Sequence, residues 1–244
     1  MKSINTNPKF SVLVPNYNYG KYLGAAVKSV LAQSVHDFEI VIVDDGSTDN
    51  SSDVIKQLCE TDNRIRAFQQ PNAGQAAAFN HAFAKSKGNI ICFLDADDLW
   101  VPEKLAWVER VFAETDGIAL LQHNMFILRD RGPRTLRYLS TLVSGDVVEK
   151  IASLEQIGFF VPTSGISLKR EVLSKIFPIP NQLGICADAY ITRTSLAHGT
   201  LFSIDIPLGY YRVHGQNYWM DNPNRENPDM VLEEIMPLVL DYYR

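Results

Sequence analysis

Four short apolar runs punctuate the first hundred residues, and a segment with helical character follows each of them. The runs are KFSVLVP (9–15), FEIVIVDD (38–45), the weaker RIRAFQQ (64–70) and NIICFLDAD (89–97). Between the first two, KYLGAAVKSVLAQ (21–33) repeats Leu23, Val27, Val30 and Leu31 at helical intervals. DVIKQLCE (53–60) follows the capping-rich STDNSS, and the Ala-rich GQAAAFNHAFAKSKG (74–88) reads as a helix ended by Gly88. PEKLAWVERVFAE (102–114) carries Pro102 where a first helical turn accepts it. Strands that alternate with helices predict a mostly parallel sheet, and strands apolar on both sides predict helices covering both faces.

The second half is less regular. IALLQHNMFIL (118–128) reads as a strand, VPTSGISLKREVLSKI (161–176) as a strand and a short helix, and ADAYITRTSLAHG (187–199) as a helix. GYYRVHGQN (209–217) reads as a strand running into a loop, and residues 218–244 as an Asn/Pro-rich tail with an apolar helix interrupted by Pro237. The chain stops inside that apolar segment, which leaves open that it is part of something longer. Its net charge of −5 argues against a nucleic-acid binder, whose footprint is basic. Cys59, Cys92 and Cys186 are widely spaced and read as reduced thiols of a cytosolic protein. The N-terminus lacks an apolar signal region, and no stretch approaches 18 apolar residues. Peripheral membrane association stays open.

Chemistry collects where the strands end. FEIVIVDD closes on Asp44 and Asp45, and ICFLDADDLW (91–100) on Asp95, Asp97 and Asp98. On an extended chain Asp95 and Asp97 point to the same side. Two ionised carboxylates ~5 Å apart repel by roughly 3 kcal/mol at an effective dielectric of ~20. A cation, a shared proton or open water must relieve that. Ligands of parallel α/β sheets sit at the carboxyl ends of the strands, so four carboxylates and Tyr17 would share one rim. A tyrosine can stack on a base and a carboxylate can accept a base N–H, which suggests a nucleotide. Neither GxGxxG nor GxxxxGK[ST] occurs to cradle its phosphates. A hard divalent cation, taking carboxylate and phosphate oxygen together, answers both needs.

VLVPNYN, VIVDDGSTD, QQPNAGQAAAFN, ICFLDADDLWVPEKL and YYRVHGQN, in this order, resemble family 2 glycosyltransferases of the GT-A fold across roughly residues 9 to 217. The resemblance implies one GT-A domain over 1–217, with a nucleotide-sugar half (1–100), an acceptor half (101–217) and a C-terminal tail. It implies that Pro15 and Tyr17 line the uracil pocket and that Asp45 accepts the base N–H. Asn72 and Gly74 would pass the nucleotide, and Asp95 would face the ribose or sugar. Asp97 would ligate Mn²⁺ or Mg²⁺, with Asp95 and His214 as further candidate ligands and His214 closing over the diphosphate. Asp188 would be the catalytic base, with Ala187 where the family usually has Glu and Tyr190 where a second acid is common. Phe79 stands where many members carry Arg. The implied reaction inverts the anomeric carbon, moving a sugar from a nucleotide-sugar donor, UDP-linked in the first instance, to a saccharide or lipid-linked acceptor. GDP and dTDP remain open. Bacterial members build surface polysaccharide, which implies a cytoplasmic enzyme at the inner membrane face.

Structural readings compete at each position. Asp49 and Asp98 read better as turn or cap residues, and Asp44 equally well either way. His36, His81, His123 and His198 read as structural or exposed, and Trp100 and Trp107 as core. Trp219 is a candidate cover for the donor. A sugar-phosphate nucleotidyltransferase is the rival enzyme, although VPNYNYGKYL lacks the Gly-rich basic loop such enzymes open with. A binding-only protein is the rival of another class, kept in play by the missing Glu before Asp188.

Overall fold

In the computed structural model of the chain, the structure describes residues 7–129, 138, 142–149, 160–183, 186–215, 217 and 231–244. The four apolar runs become β1 (Phe10–Asn16), β2 (Phe38–Asp44), β3 (Ile65–Gln69) and β4 (Ile90–Phe93), parallel and ordered β3-β2-β1-β4. All seven residues of β2 are buried, as a strand covered on both faces must be. Alternate side chains leave by opposite faces. Val12, Val14, Ile40 and Ile42 pack with Leu23 and Val27 of α1 (Gly20–Leu31), Ile55 of α2 (Ser51–Thr61) and Leu105 of α4 (Lys104–Glu114). Leu13, Val41, Val43 and Phe93 pack on the other face with Ala76, Phe79 and Ala82 of α3 (Gln75–Lys85). Phe79 is fully buried there, edge-on to Phe93 at 5.1 Å.

Beyond β4 the same sheet continues through β8 (Ile166–Lys169), β6 (Ile118–His123) and β9 (Thr200–Ile204). β8 runs antiparallel to both β4 and β6, while β6 and β9 are parallel. The result is a seven-stranded, mostly parallel sheet flanked by helices, the fold class expected. Helices α5 (Arg170–Ile176), α6 (Ala187–Ser195) and α7 (Met236–Tyr242) add Val172, Ile191 and Val239 to the core that holds α3. A second sheet of three strands, β5 (Leu99–Trp100), β10 (Gly209–Val213) and β7 (Phe126–Arg129), lies beside the tip of β4, with β10 in the middle.

Three expectations need correction. Residues 118–128 form two strands in two sheets, because Asn124 breaks the run. Its amide bonds Ile204 O, its carbonyl accepts from Leu208, and its side chain accepts the Met125 N–H at 2.9 Å. Gly88 does not end α3, which stops at Lys85. It is small because β1 crosses it: a Cβ there would lie 2.5 Å from Phe10 C and Ser11 N. The tail helix does change character beside Pro237, where a π-helical turn over Val231–Ile235 gives way to α7. The strand β4 ends at Phe93, so the acids after it lie on a turn rather than an extended chain. Cys92 and Cys186 are buried and Cys59 is half-buried. Among the described residues no helix is long and apolar enough to cross a membrane.

Candidate active site

The parallel register sets the tips of β1 and β2 side by side, pairing Asn16 with Asp44. Asn16 Nδ2 donates to Asp44 Oδ1 at 3.0 Å and Ser47 Oγ donates to the same oxygen at 2.5 Å, so Asp44 serves the turn. Asp49 likewise accepts the Gly20 and Ser51 amides at 3.0 and 2.9 Å. Asp45 is buried and organises the loop that precedes α3. Its Oδ1 receives Gln70 Nε2 at 2.8 Å and Ala73 N at 2.9 Å, and its Oδ2 receives Gly74 N at 2.8 Å. Gly74 holds φ = +89°, a conformation that presents this N–H and that a side chain would strain. Around this loop Pro15 is half-buried, Tyr17 is 47% exposed and Asn72 is exposed.

The turn after β4 is fixed from three sides. Asp98 N bonds Asp95 O at 3.1 Å and closes it. Asp95 N donates to Ser164 Oγ at 2.9 Å, with the side chains of Thr163 and Gln75 beside its carboxyl group. From β10, Arg212 N donates to Asp98 Oδ1 at 2.8 Å and Arg212 Nε to the Asp97 carbonyl at 2.7 Å. His214 Nε2 lies 2.9 Å from Asp97 Oδ2, while its ring stacks on Tyr22 at 4.7 Å and meets Tyr19 edge-on at 5.7 Å. Asn217 fixes this arm by accepting His214 N at 2.7 Å and donating to Arg212 O at 2.6 Å.

Charge is crowded in this turn. Burial, then the charge of Asp97, then that of Asp188 push the Asp95 carboxyl well above the ordinary range. Burial, Asp97 and Asp95 do the same to Asp98, whose Oδ2 has no partner among the described residues. Tyr19 and Tyr211 are also pushed up, chiefly by burial and then by these acids, so their phenols stay neutral.

Asp188 arrives from the other half of the chain, in the first turn of α6. It is half-buried, and its Oδ1 accepts its neighbour's amide, Ala189 N, at 2.9 Å. Burial raises its pKa, against hydrogen bonds from Thr163 and Ala189 and the charge of Arg193. Ala187 N donates to Gln75 Oε1 at 3.0 Å, which ties the start of α6 to the start of α3. Tyr190, read as standing in the place of a second acid, is buried and edge-on to Tyr242 at 6.4 Å.

The structure therefore brings Asp95, Asp97 and His214 together with Asp188 nearby, and sets Asp45, Asn72 and Gly74 on the adjoining loop. Thr163, Ser164 and Gln75 were missed by sequence reasoning. The polar TS within VPTSG was the available signal, hidden by reading that stretch as a strand. It is a 3-10 turn, Thr163–Gly165. Its Ser164 carbonyl accepts Trp100 Nε1 at 2.9 Å and lies 3.4 Å from Nζ of the fully buried Lys104. Trp100 is thus structural, as read. Burial pushes Lys104 down to about 7 and His123 down to about 3. His36 is exposed, His81 Nδ1 lies 2.9 Å from Gln70 Oε1, and His198 Nε2 lies 2.6 Å from the Tyr242 hydroxyl. Trp107 is half-buried on the α4 core, and Trp219 lies outside the described residues.

Among the described residues, no three His, Cys, Asp or Glu side chains converge to hold a metal ion unaided. The donor chemistry nevertheless fits a hard cation that completes its shell with phosphate oxygens and water. Mg²⁺ takes one or two carboxylates plus substrate phosphates rather than an all-protein cage. Asp97, backed by the mutual repulsion of Asp95 and Asp98, offers that set.

The fold is thus a mostly parallel α/β sheet with carboxylates at its strand tips and a further acid, Asp188, on α6. The sequence profile of Glycosyl transferase family 2 matches residues 11–177, and the chain belongs to that family. It is 44% identical over 217 residues to an uncharacterised glycosyltransferase of Nostoc sp., covering 87% of this chain and 67% of that one. Over 102 residues it is 41% identical to TuaG, a Bacillus subtilis glycosyltransferase assigned to teichuronic acid biosynthesis, covering 41% of this chain and 40% of that one. Rickettsia conorii has a relative 28% identical over 230 residues, of whose length this chain spans 37%. Among solved structures, S. aureus TarS 1-349 in complex with UDP aligns with a TM-score of 0.66 at 23% identity, covering 84% of this chain and 60% of that one. The mannosyltransferase PcManGT of Pyrobaculum calidifontis, in complex with GDP-Man and Mn²⁺, aligns at 0.65 and 20%, covering 88% and 60%. At these identities the likeness establishes the fold.

Proposed function

We propose that this chain transfers a sugar, with inversion, from a nucleotide-sugar donor to an acceptor hydroxyl in surface-polysaccharide synthesis. The observation that carries the reading is the convergence of Asp97 and Asp95 from one half of the chain with Asp188 from the other. The donor nucleotide would lie along the tips of β1, β2 and β4, with Tyr17 and Pro15 beside the base. Asp45 accepts three donors from the loop before α3, which leaves acceptor capacity on Oδ2 for a base N–H. UDP is the base-bearing group we favour, since TarS was crystallised with it. Asp97 would hold Mn²⁺ or Mg²⁺ with His214 beside it, and Asp95 would face the sugar. A bound divalent ion supplies positive charge for the departing diphosphate. Asp188 accepts the proton of the acceptor hydroxyl, and its raised pKa makes it a better base than an exposed Asp. That hydroxyl attacks the anomeric carbon opposite the diphosphate, so one displacement inverts it. Phe79 sits in the core and offers the donor no cation at that position. The enzyme would work at the cytoplasmic face of the membrane, on a saccharide or lipid-linked acceptor.

Incubating the protein with UDP-glucose, UDP-GlcNAc and GDP-mannose, with Mn²⁺, tests this. We expect nucleoside diphosphate to be released from one of them, and Asp188→Asn to slow release about 10²–10⁴-fold. Pyrophosphate released from a nucleoside triphosphate and a sugar phosphate would instead favour a nucleotidyltransferase. Binding without turnover would favour a carrier.

A further inference from the structure

The stretch PNYNYGKYL (15–23) carries three tyrosines, and only Tyr17 has a place in the reading above. Tyr19 and Tyr22, three apart where α1 begins, fall on one face of its first turn. Tyr22 N bonds Tyr19 O at 2.8 Å and Gly20 N bonds Asp49 Oδ2 at 3.0 Å, so that turn is anchored. From the other half of the chain, the end of β10 brings Arg212 and His214, two positions apart, onto the Tyr22 ring. The imidazole stacks on it with centroids 4.7 Å apart and planes 22° from parallel, and the Arg212 guanidinium lies over it at 5.2 Å. Tyr19 meets the imidazole edge-on at 5.7 Å. The His214 side chain is left 1% exposed.

Asn217 accepts the His214 backbone N–H at 2.7 Å, which places that residue's main chain, and Nε2 lies 2.9 Å from Asp97 Oδ2. Neither contact by itself sets the ring plane, because rotation about χ2 of a histidine is broad. A near-parallel aromatic face removes that freedom. We propose that Tyr22 is a positioning residue that sets the plane of the His214 ring against Asp97, so that the acid turn of one half and the arm of the other meet in one arrangement before a donor binds. The proposal rests on the reading of Asp97 and His214 given above, as the residues at the cation and diphosphate, and it gives Tyr22 no contact with a reacting atom. Phe supplies the same ring face as Tyr, whereas Leu keeps bulk and loses the face.

The test is a cycle of Tyr22→Leu, Tyr22→Phe and His214→Ala, with UDP binding in the presence of Mn²⁺ measured by calorimetry. Y22L should weaken binding at least fivefold, and Y22F less than twofold. In the His214→Ala background Y22L should cost less than twofold, because the ring it positions is gone. Wild-type affinity in Y22L would overturn the proposal. So would a fivefold loss that persists without His214, or a Y22F variant as weak as Y22L. Proton NMR of the imidazoles gives an arm that needs no nucleotide. The His214 ring protons, assigned as the resonances missing from H214A, should lie upfield of free histidine in wild type and Y22F. They should move downfield in Y22L, which lacks the shielding face, and unmoved resonances there would remove the stack. If they move while wild type shows no Mn²⁺-dependent UDP binding, the positioning of His214 stands and the donor-site reading fails.

Discussion

At the residue scale the site is a balance between three crowded carboxyls and what relieves them. Asp95, Asp98 and Asp188 are each raised, with burial as the largest cause in every case. A carboxyl whose folded pKa lies above its unfolded value of about 4 binds more protons in the folded state. Its stabilising contribution is full below about pH 4 and is lost as pH rises through the folded pKa. Asp98→Asn removes one charge and keeps an acceptor for the Arg212 amide. It should raise the melting midpoint by about 2–4 °C at pH 8 and by much less at pH 4.5. Thermal unfolding at the two pH values checks this, and a variant destabilised at pH 8 would show that the charge is already compensated. The same residues mark what sequence could reveal. Asp45, Asp95, Asp97 and His214 stand in motifs whose order is itself the signal. Gln75 carries no such mark, because a Gln acquires its partner, here the Ala187 amide, only from what the fold sets opposite it.

At the element scale, loops rather than strands assemble the site. β1 to β4 could be read from apolar runs because a strand covered on both faces has no polar alternation to confuse it. The second half was less legible for a physical reason. β5 has two residues, β9 is the partly exposed TLFSI, and Asn124 splits one apolar run between two sheets. The loop at 70–74 shows how much one backbone angle can carry. Gly74→Ala would force a side chain into φ = +89° and draw its N–H off Asp45. The expected cost exceeds about 1 kcal/mol, read as a lower urea midpoint at unchanged m-value. Nucleotide binding should weaken with it. A variant as stable as wild type would mean that the loop reaches its place without that angle.

At the scale of the whole molecule, one sheet joins the two halves through the antiparallel pairing of β4 with β8. The acid turn after β4 therefore lies next to the turn Thr163–Gly165 that precedes β8, and Ser164 receives the Asp95 amide across that junction. The chain spans about two thirds of its Nostoc relative and 37% of the Rickettsia conorii one. Under the proposed function, the carboxylates at the strand tips share a divalent cation with the donor diphosphate. Isothermal titration of UDP into wild type and Asp97→Ala, each with and without Mn²⁺, measures that sharing directly. The account predicts that Mn²⁺ tightens UDP binding to wild type at least tenfold and leaves the variant, still folded, unable to respond. Equal binding to both proteins, indifferent to Mn²⁺, would contradict it.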